Sequence, residues 1–182
     1  MSSSQKKVIV RRFAGDVTPG YLPLNAFVRQ DAATPRVDLL DLSGRVISLH
    51  LNDIKTISYV RDFNLNDTVN PERLARRTFL ARPRTEGLWV RLTFRGGDLL
   101  EGLAPTDLSL LSNAIEDIGL HLTPPDIRSN TQRIFVPRSA ITDLQLIAVI
   151  TTPSRKKPLP TEEAPSLQDT LFETLPPNSR PN

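Results

Sequence analysis

One stretch of this chain occurs twice, and that repeat limits the possible folds more than any single motif does. Placing Gly20 over Gly102, an offset of 82, superposes Val8–Pro23 on Val90–Pro105, with Val8/Val90, Gly15/Gly97, Asp16/Asp98, Gly20/Gly102 and Pro23/Pro105 identical. Further on, Ile47-Ser-Leu49 matches Ile134-Phe-Val136, and Ile54-Lys-Thr-Ile57 matches Ile141-Thr-Asp-Leu144. The offset there is 87, which places five extra residues in a central loop of the second copy. Repeats of this kind are built from one supersecondary unit used again.

Each copy reads as five short strands. Leu88, Val90, Leu92 and Phe94 alternate with Trp89, Arg91 and Thr93, the period of a half-buried strand. Arg95-Gly96-Gly97-Asp98 is a hairpin turn in which glycine supplies the positive φ. In the first copy Val37–Leu42 and Val46–Leu51 flank Ser43-Gly44-Arg45, a second hairpin signal. Five strands in so short a span predict a small barrel closed on itself, and two such barrels packed together.

These residues resemble the Sm-like fold, a strongly bent, SH3-like barrel of five strands. The resemblance lies in Val8, Val10, Phe13, Gly15, Asp16 and Gly20, and in Val136-Pro-Arg-Ser-Ala-Ile-Thr-Asp-Leu144. Tandem copies joined through Val60-Arg-Asp-Phe63 are similar to an uncharacterised bacterial family of tandem Sm-like barrels. The organisation this implies is a first barrel at 7–63, a basic linker at 64–87, a second barrel at 88–150 and a tail at 151–182. Sm-like RNA binders carry a basic residue with Gly or His in the last tight turn. Here those turns read Leu51-Asn52-Asp53 and Pro137-Arg138-Ser139, so neither reproduces that pattern, and Arg138 supplies only its basic residue.

The linker Asn70-Pro-Glu-Arg-Leu-Ala-Arg-Arg-Thr-Phe-Leu80 carries helix-start signals, with Asn70 as cap, Pro71 in the first turn and Glu72 complementing the dipole. A short helix over 70–80 is predicted, with Arg73, Arg76 and Arg77 on one face and Arg82 and Arg84 following. Such a cluster suits phosphate or single-stranded nucleic acid. It suits equally a solvated segment whose arginines pair with acidic groups of the second barrel. A PilZ-type cyclic-dinucleotide site is a weaker match. Arg73 and Arg77 fit its first half, but Asp41-Leu-Ser43 leads to Val46 where Gly belongs, and the halves are in reversed order.

Residues 151–182 hold seven of the sixteen prolines, which predicts an extended, disordered tail. One island, Ser166–Leu175, opens on a capping box and places Leu167, Leu171 and Leu175 at helical spacing beside Phe172. It reads either as a segment that folds into a partner's groove or as a final helix on its own barrels.

Composition removes several functions. The chain has no Cys and two His, so thiol chemistry and a thiolate zinc site are excluded and a His-built metal centre has little material. No phosphate-binding loop, dinucleotide fingerprint or nucleophile signature occurs, so no cofactor and no enzymatic role are expected. The net charge of +3 is spread as +3, +2, −2 and 0 over the four segments, too thin to bind nucleic acid by charge alone. No leader-like or membrane-length apolar run is present, so a cytoplasmic protein without membrane contact is expected. The expected function is a protein-interaction adaptor or regulator acting through the tail or a barrel edge. The alternative is RNA binding through the linker.

Overall fold

A computed structural model describes residues 5–23, 27–29, 34–106, 118–126 and 128–151. The described chain is mainly β and contains eleven strands: β1 (Lys6–Arg12), β2 (Val17–Leu22), β3 (Val28–Arg29), β4 (Arg36–Leu40), β5 (Val46–His50), β6 (Ile54–Val60), β7 (Gly87–Phe94), β8 (Leu99–Ala104), β9 (Gly119–Leu122), β10 (Thr131–Pro137) and β11 (Ile141–Ile150). Short 3₁₀ turns at Leu51–Asp53 and Arg138–Ala140 precede β6 and β11. The tail and its Ser166–Leu175 island lie outside the described residues.

The repeat seen in the sequence is a repeat of pairing. Val8 stands opposite Gly20 in β1–β2, and Val90 opposite Gly102 in β7–β8. Ile57 and Tyr59 of β6 face Val10 and Val8, as Leu144 and Leu146 of β11 face Leu92 and Val90. Leu39 faces Ile47 in β4–β5, as Leu122 faces Ile134 in β9–β10. The two central glycines are shared because the neighbouring strand passes too close for a side chain. A Cβ on Gly20 would lie 2.6 Å from the Leu40 carbonyl oxygen, and one on Gly102 2.8 Å from the Leu122 Cβ. The extra residues of the second copy are divided, one before β9 and four between β9 and β10, rather than held in a single loop.

Among the described residues the expected closed barrels do not form. In the first unit the strands run β5-β4-β2-β1-β6, and β6 gives its outer edge to β10 of the second unit. The second unit is split accordingly: β9 and β10 extend the first sheet, while β11-β7-β8 form a second, tied to β9 by the Leu103–Thr123 bridge. The physical reason is competition for one edge. Phe135 pairs opposite Ile57 and its ring fills the first core beside Val10, Leu39 and Ile57. A β10 reading Ile134-Phe-Val136 is apolar on both faces and is stable only where both are covered. The second core, around Leu92, Phe94, Leu122 and Ile134, takes Phe13 of the first unit against it. Arg95 lies over the Phe13 ring at 4.4 Å and donates to the Asn52 carbonyl at 2.6 Å, tying the hairpin tips together.

Candidate interaction surfaces

The linker forms no helix. Its capping signals produce one turn: the Arg73 amide donates to the Asn70 carbonyl at 2.9 Å and the Leu74 amide to Asn70 Oδ1 at 3.2 Å. Arg73 then adopts φ +47°, which turns the chain out of helical geometry. Tertiary contacts outweigh the local propensity here. Glu72 is buried and accepts both forks of the Arg11 guanidinium, at 2.8 and 2.9 Å. The Glu72 carbonyl takes the buried Thr131 hydroxyl at 2.7 Å. The Pro71 carbonyl accepts from Asn64 and Asn130, and Asn130 also bridges to the backbone of Asp62. The segment is therefore a strap across β1 and the start of β10, not a solvated linker helix.

Downstream, the strap is held by a buried carboxylate. Glu101 on β8 accepts from the Phe79 amide at 2.9 Å, the Trp89 indole at 3.2 Å and the Arg91 guanidinium at 2.7 and 3.0 Å, while its own amide donates to the Arg77 carbonyl. Burial alone would raise the Glu101 carboxyl, but the Phe79, Arg91 and Trp89 donors together hold it below the usual carboxylate range. Nearby, Asp98 is lowered by its hydrogen bond from Lys55, against partial burial, with the Lys55 and Arg77 charges adding to it.

The arginines picked out in the sequence are thus divided. Arg77 approaches Asp98 at 3.6 Å. Arg73, Arg76, Arg82 and Arg84 are exposed, meet no carboxylate among the described residues and share no helical face. Arg138 lies apart from them in the last 3₁₀ turn, where its guanidinium donates to the Ile141 carbonyl at 3.3 Å. The tail residues Leu167, Leu171, Phe172 and Leu175 lie outside the described residues.

A second surface escaped the sequence reading. Leu144, Leu146 and Val149 of β11 share a face with the core residues Leu92 and Val90 and the half-buried Leu88 of β7, yet each is about half exposed. Among the described residues β11 pairs only with β7, so the backbone groups of its outer edge have no strand partner. Their spacing was legible as a strand. Their exposure was not, because Ile57 and Tyr59 show the same pattern and are buried.

Two further features lie apart from these surfaces. A cavity of about 240 Å³ lies between β1–β2 and the strap, lined by Ile9, Val17, Pro19, Phe63, Leu65 and Asp67 among others. His121, buried against Phe27, Tyr59 and Phe135, has an Nδ1 without a hydrogen-bond partner among the described residues. Burial, with the Arg133 charge adding to it, lowers its pKa to about 3, so the ring is neutral. Among the described residues no helix is long and apolar enough to cross a membrane, and no three His, Asp or Glu side chains converge as metal ligands would.

No curated protein and no solved structure matches the chain. A family model does match, over residues 4–148, spanning both copies of the repeat and the strap between them. The chain belongs to DUF6982, a family of unknown function.

Proposed function

We propose that this protein is a non-enzymatic interaction adaptor built from two Sm-like units. Its docking edge is β11, and its tail island at Leu167, Leu171, Phe172 and Leu175 is a second recruiting element. The repeated order, with the last strand of each unit beside the first, supports the Sm-like reading. One observation carries the function: a ten-residue strand presents three half-exposed apolar side chains beside a backbone edge that has no strand partner among the described residues. An edge of this kind takes an added strand, with main-chain hydrogen bonds giving affinity and alternate side chains giving specificity. A photoreactive residue placed at Leu146, or at Leu171, in the full chain tests the reading in cell extract. Position-specific protein adducts, missing from a control at Arg82, are expected. Absence of adducts at both positions overturns it.

RNA or single-stranded nucleic-acid contact is a second reading, favoured by the exposed Arg73, Arg76, Arg82 and Arg84 that no described carboxylate neutralises. Fluorescence anisotropy of labelled single-stranded RNA at low and near-physiological salt decides it. Binding through these groups weakens steeply with salt and is lost when Arg76, Arg82 and Arg84 are changed to Glu. No binding at low salt removes this reading.

A further inference from the structure

Lys7, Ile9 and Arg11 alternate with the core residues Val8 and Val10, and so point to the far face of the first sheet. The chain from Asp62 to Arg73 crosses that face and is fastened on either side of Ile9. Lys7 pairs with Asp62 at 3.0 Å and lies over the Phe63 ring, while Arg11 donates to the Val69 carbonyl at 3.0 Å and to Glu72. Between these fastenings the chain forms a compact loop. Asn64 and Arg73 bound it with φ +45° and +47°, and Asn64 Nδ2 donates to the Pro71 carbonyl at 2.9 Å across its neck. The cavity of about 240 Å³ lies beneath this loop, with Ile9, Val17 and Pro19 on the sheet side and Phe63, Leu65 and Pro71 on the loop side. It meets solvent at the exposed Gly15 and Thr68.

Two carboxylates line this cavity, and they differ. Asp16 is paired with Arg12. Asp67 Oδ1 accepts the Val69 and Asn70 amides at 3.2 and 2.9 Å, and no Lys or Arg among the described residues pairs with Asp67 or lines the cavity. The second copy of the repeat shows how such a place is filled from within. Ile9 stands opposite Pro19 as Arg91 stands opposite Glu101. There the cation belongs to the chain itself, Arg91 donating to Glu101 at 2.7 Å beside the Phe79 and Trp89 rings. In the first copy the sheet side is apolar and the carboxylate comes from the loop without a cation.

We infer that this cavity binds a small organic cation, its ammonium group on Asp67 and its apolar body over Ile9. Size narrows the class. A cavity of roughly 150 Å³ holds benzene, and the remaining ~90 Å³ takes about three more non-hydrogen atoms at roughly 30 Å³ each. One ring with a short arm ending in the charge, an aryl-alkyl amine, meets that description. Phe63, held edge-on by Tyr21 at 5.3 Å, offers the ring an aromatic wall. The volume is then used up, so the occupant is a free molecule and not the end of a peptide. The site lies apart from β11 and does not depend on the docking edge.

Amide NMR titrations of the full chain with phenylethylamine, the uncharged phenylethanol and the anionic phenylpropionate test this. Phenylethylamine is expected to shift the Gly15, Phe63 and Thr68 amides and to bind about tenfold more tightly than phenylethanol, the worth of one charge-assisted hydrogen bond. Phenylpropionate, facing Asp67 with no cation nearby, binds more weakly than either. Asp67→Asn keeps the oxygen that accepts the Val69 and Asn70 amides, and it brings amine and alcohol to within about twofold of each other. Val17→Phe fills the space and removes binding of both, which keeps the test decisive if Asp67→Asn fails to fold. Equal affinity of the native chain for amine and alcohol overturns the inference, as does an amine preference that survives Asp67→Asn. Shifts centred on β11 instead of the loop, or no shift at millimolar probe, overturn it too. A phenylalanine-led tripeptide that binds more tightly than phenylethylamine overturns the free-molecule reading.

Discussion

Ile57 and Leu144 hold the same place in two copies of one strand, yet Ile57 is 0% exposed and Leu144 is 47% exposed. Both are apolar, both face a buried β-branched or leucine residue on the first strand of their unit, and both follow a 3₁₀ turn. The difference is the neighbour on the far side. β6 has β10 there, carrying Phe135, and β11 has no strand there among the described residues. Burial in a duplicated unit is thus decided by which strand arrives from elsewhere, and not by the side chains of the strand itself.

The largest effect that sharpens this comparison comes from truncating the two equivalents. Ile57→Ala empties a filled core position and should cost about 2–5 kcal/mol, whereas Leu144→Ala should cost less than about 1 kcal/mol because much of its surface already meets water. Urea denaturation measures both, and equal losses would show that β11 is covered in solution. Next is the strap. Glu72→Ala strands the Arg11 guanidinium on a partly covered site and should cost about 2–4 kcal/mol, while Asp62→Ala, which breaks only the exposed pair with Lys7, should cost about 1 kcal/mol or less. A similar small loss for both would mean that the strap adds no stability to the junction.

A further difference between the two units is read across pH. His121 and Asp38 are register equivalents, but Asp38 pairs with Arg29 at 2.9 Å near the surface while His121 is buried and neutral. Its pKa in the fold, about 3, lies below the ordinary histidine value of about 6.5. Stability from this group is therefore complete above pH ~6.5 and falls as the unfolded chain takes up the proton between pH ~6.5 and ~3. The slope is about 1.4 kcal/mol per pH unit for one proton. Denaturant midpoints across that range should decline in the native chain and flatten in His121→Leu. An unchanged slope in the variant would assign the decline to carboxylates such as Glu101, whose contribution is lost as pH falls below about 4.5.

The repeat was legible because it is written in residues whose roles are local. Gly15 and Gly97 adopt φ +94° and +82° in equivalent turns, and Gly20 and Gly102 admit close strands. The strap was misread because its signals are also local: Asn70, Pro71 and Glu72 do begin a turn, but Arg11, 61 residues earlier, captures Glu72. The candidate docking edge was hidden for a third reason. Pairing between distant strands leaves little trace in either sequence alone, though one clue was present. β10 reads Ile134-Phe-Val136 where β5 reads Ile47-Ser-Leu49, and an unbroken apolar run belongs to a strand covered on both faces.

The β6–β10 junction also sets an order of events during synthesis. β6 is complete at Val60, but its partner begins at Thr131, so some seventy residues must leave the ribosome before that edge can be sealed. Until then Ile57 and Tyr59 sit on an open apolar edge, available to any passing strand. Contacts of such long sequence separation form slowly. The Arg11–Glu72 strap can form well before β10 emerges, holding in place the segment that later receives Thr131 and Asn130.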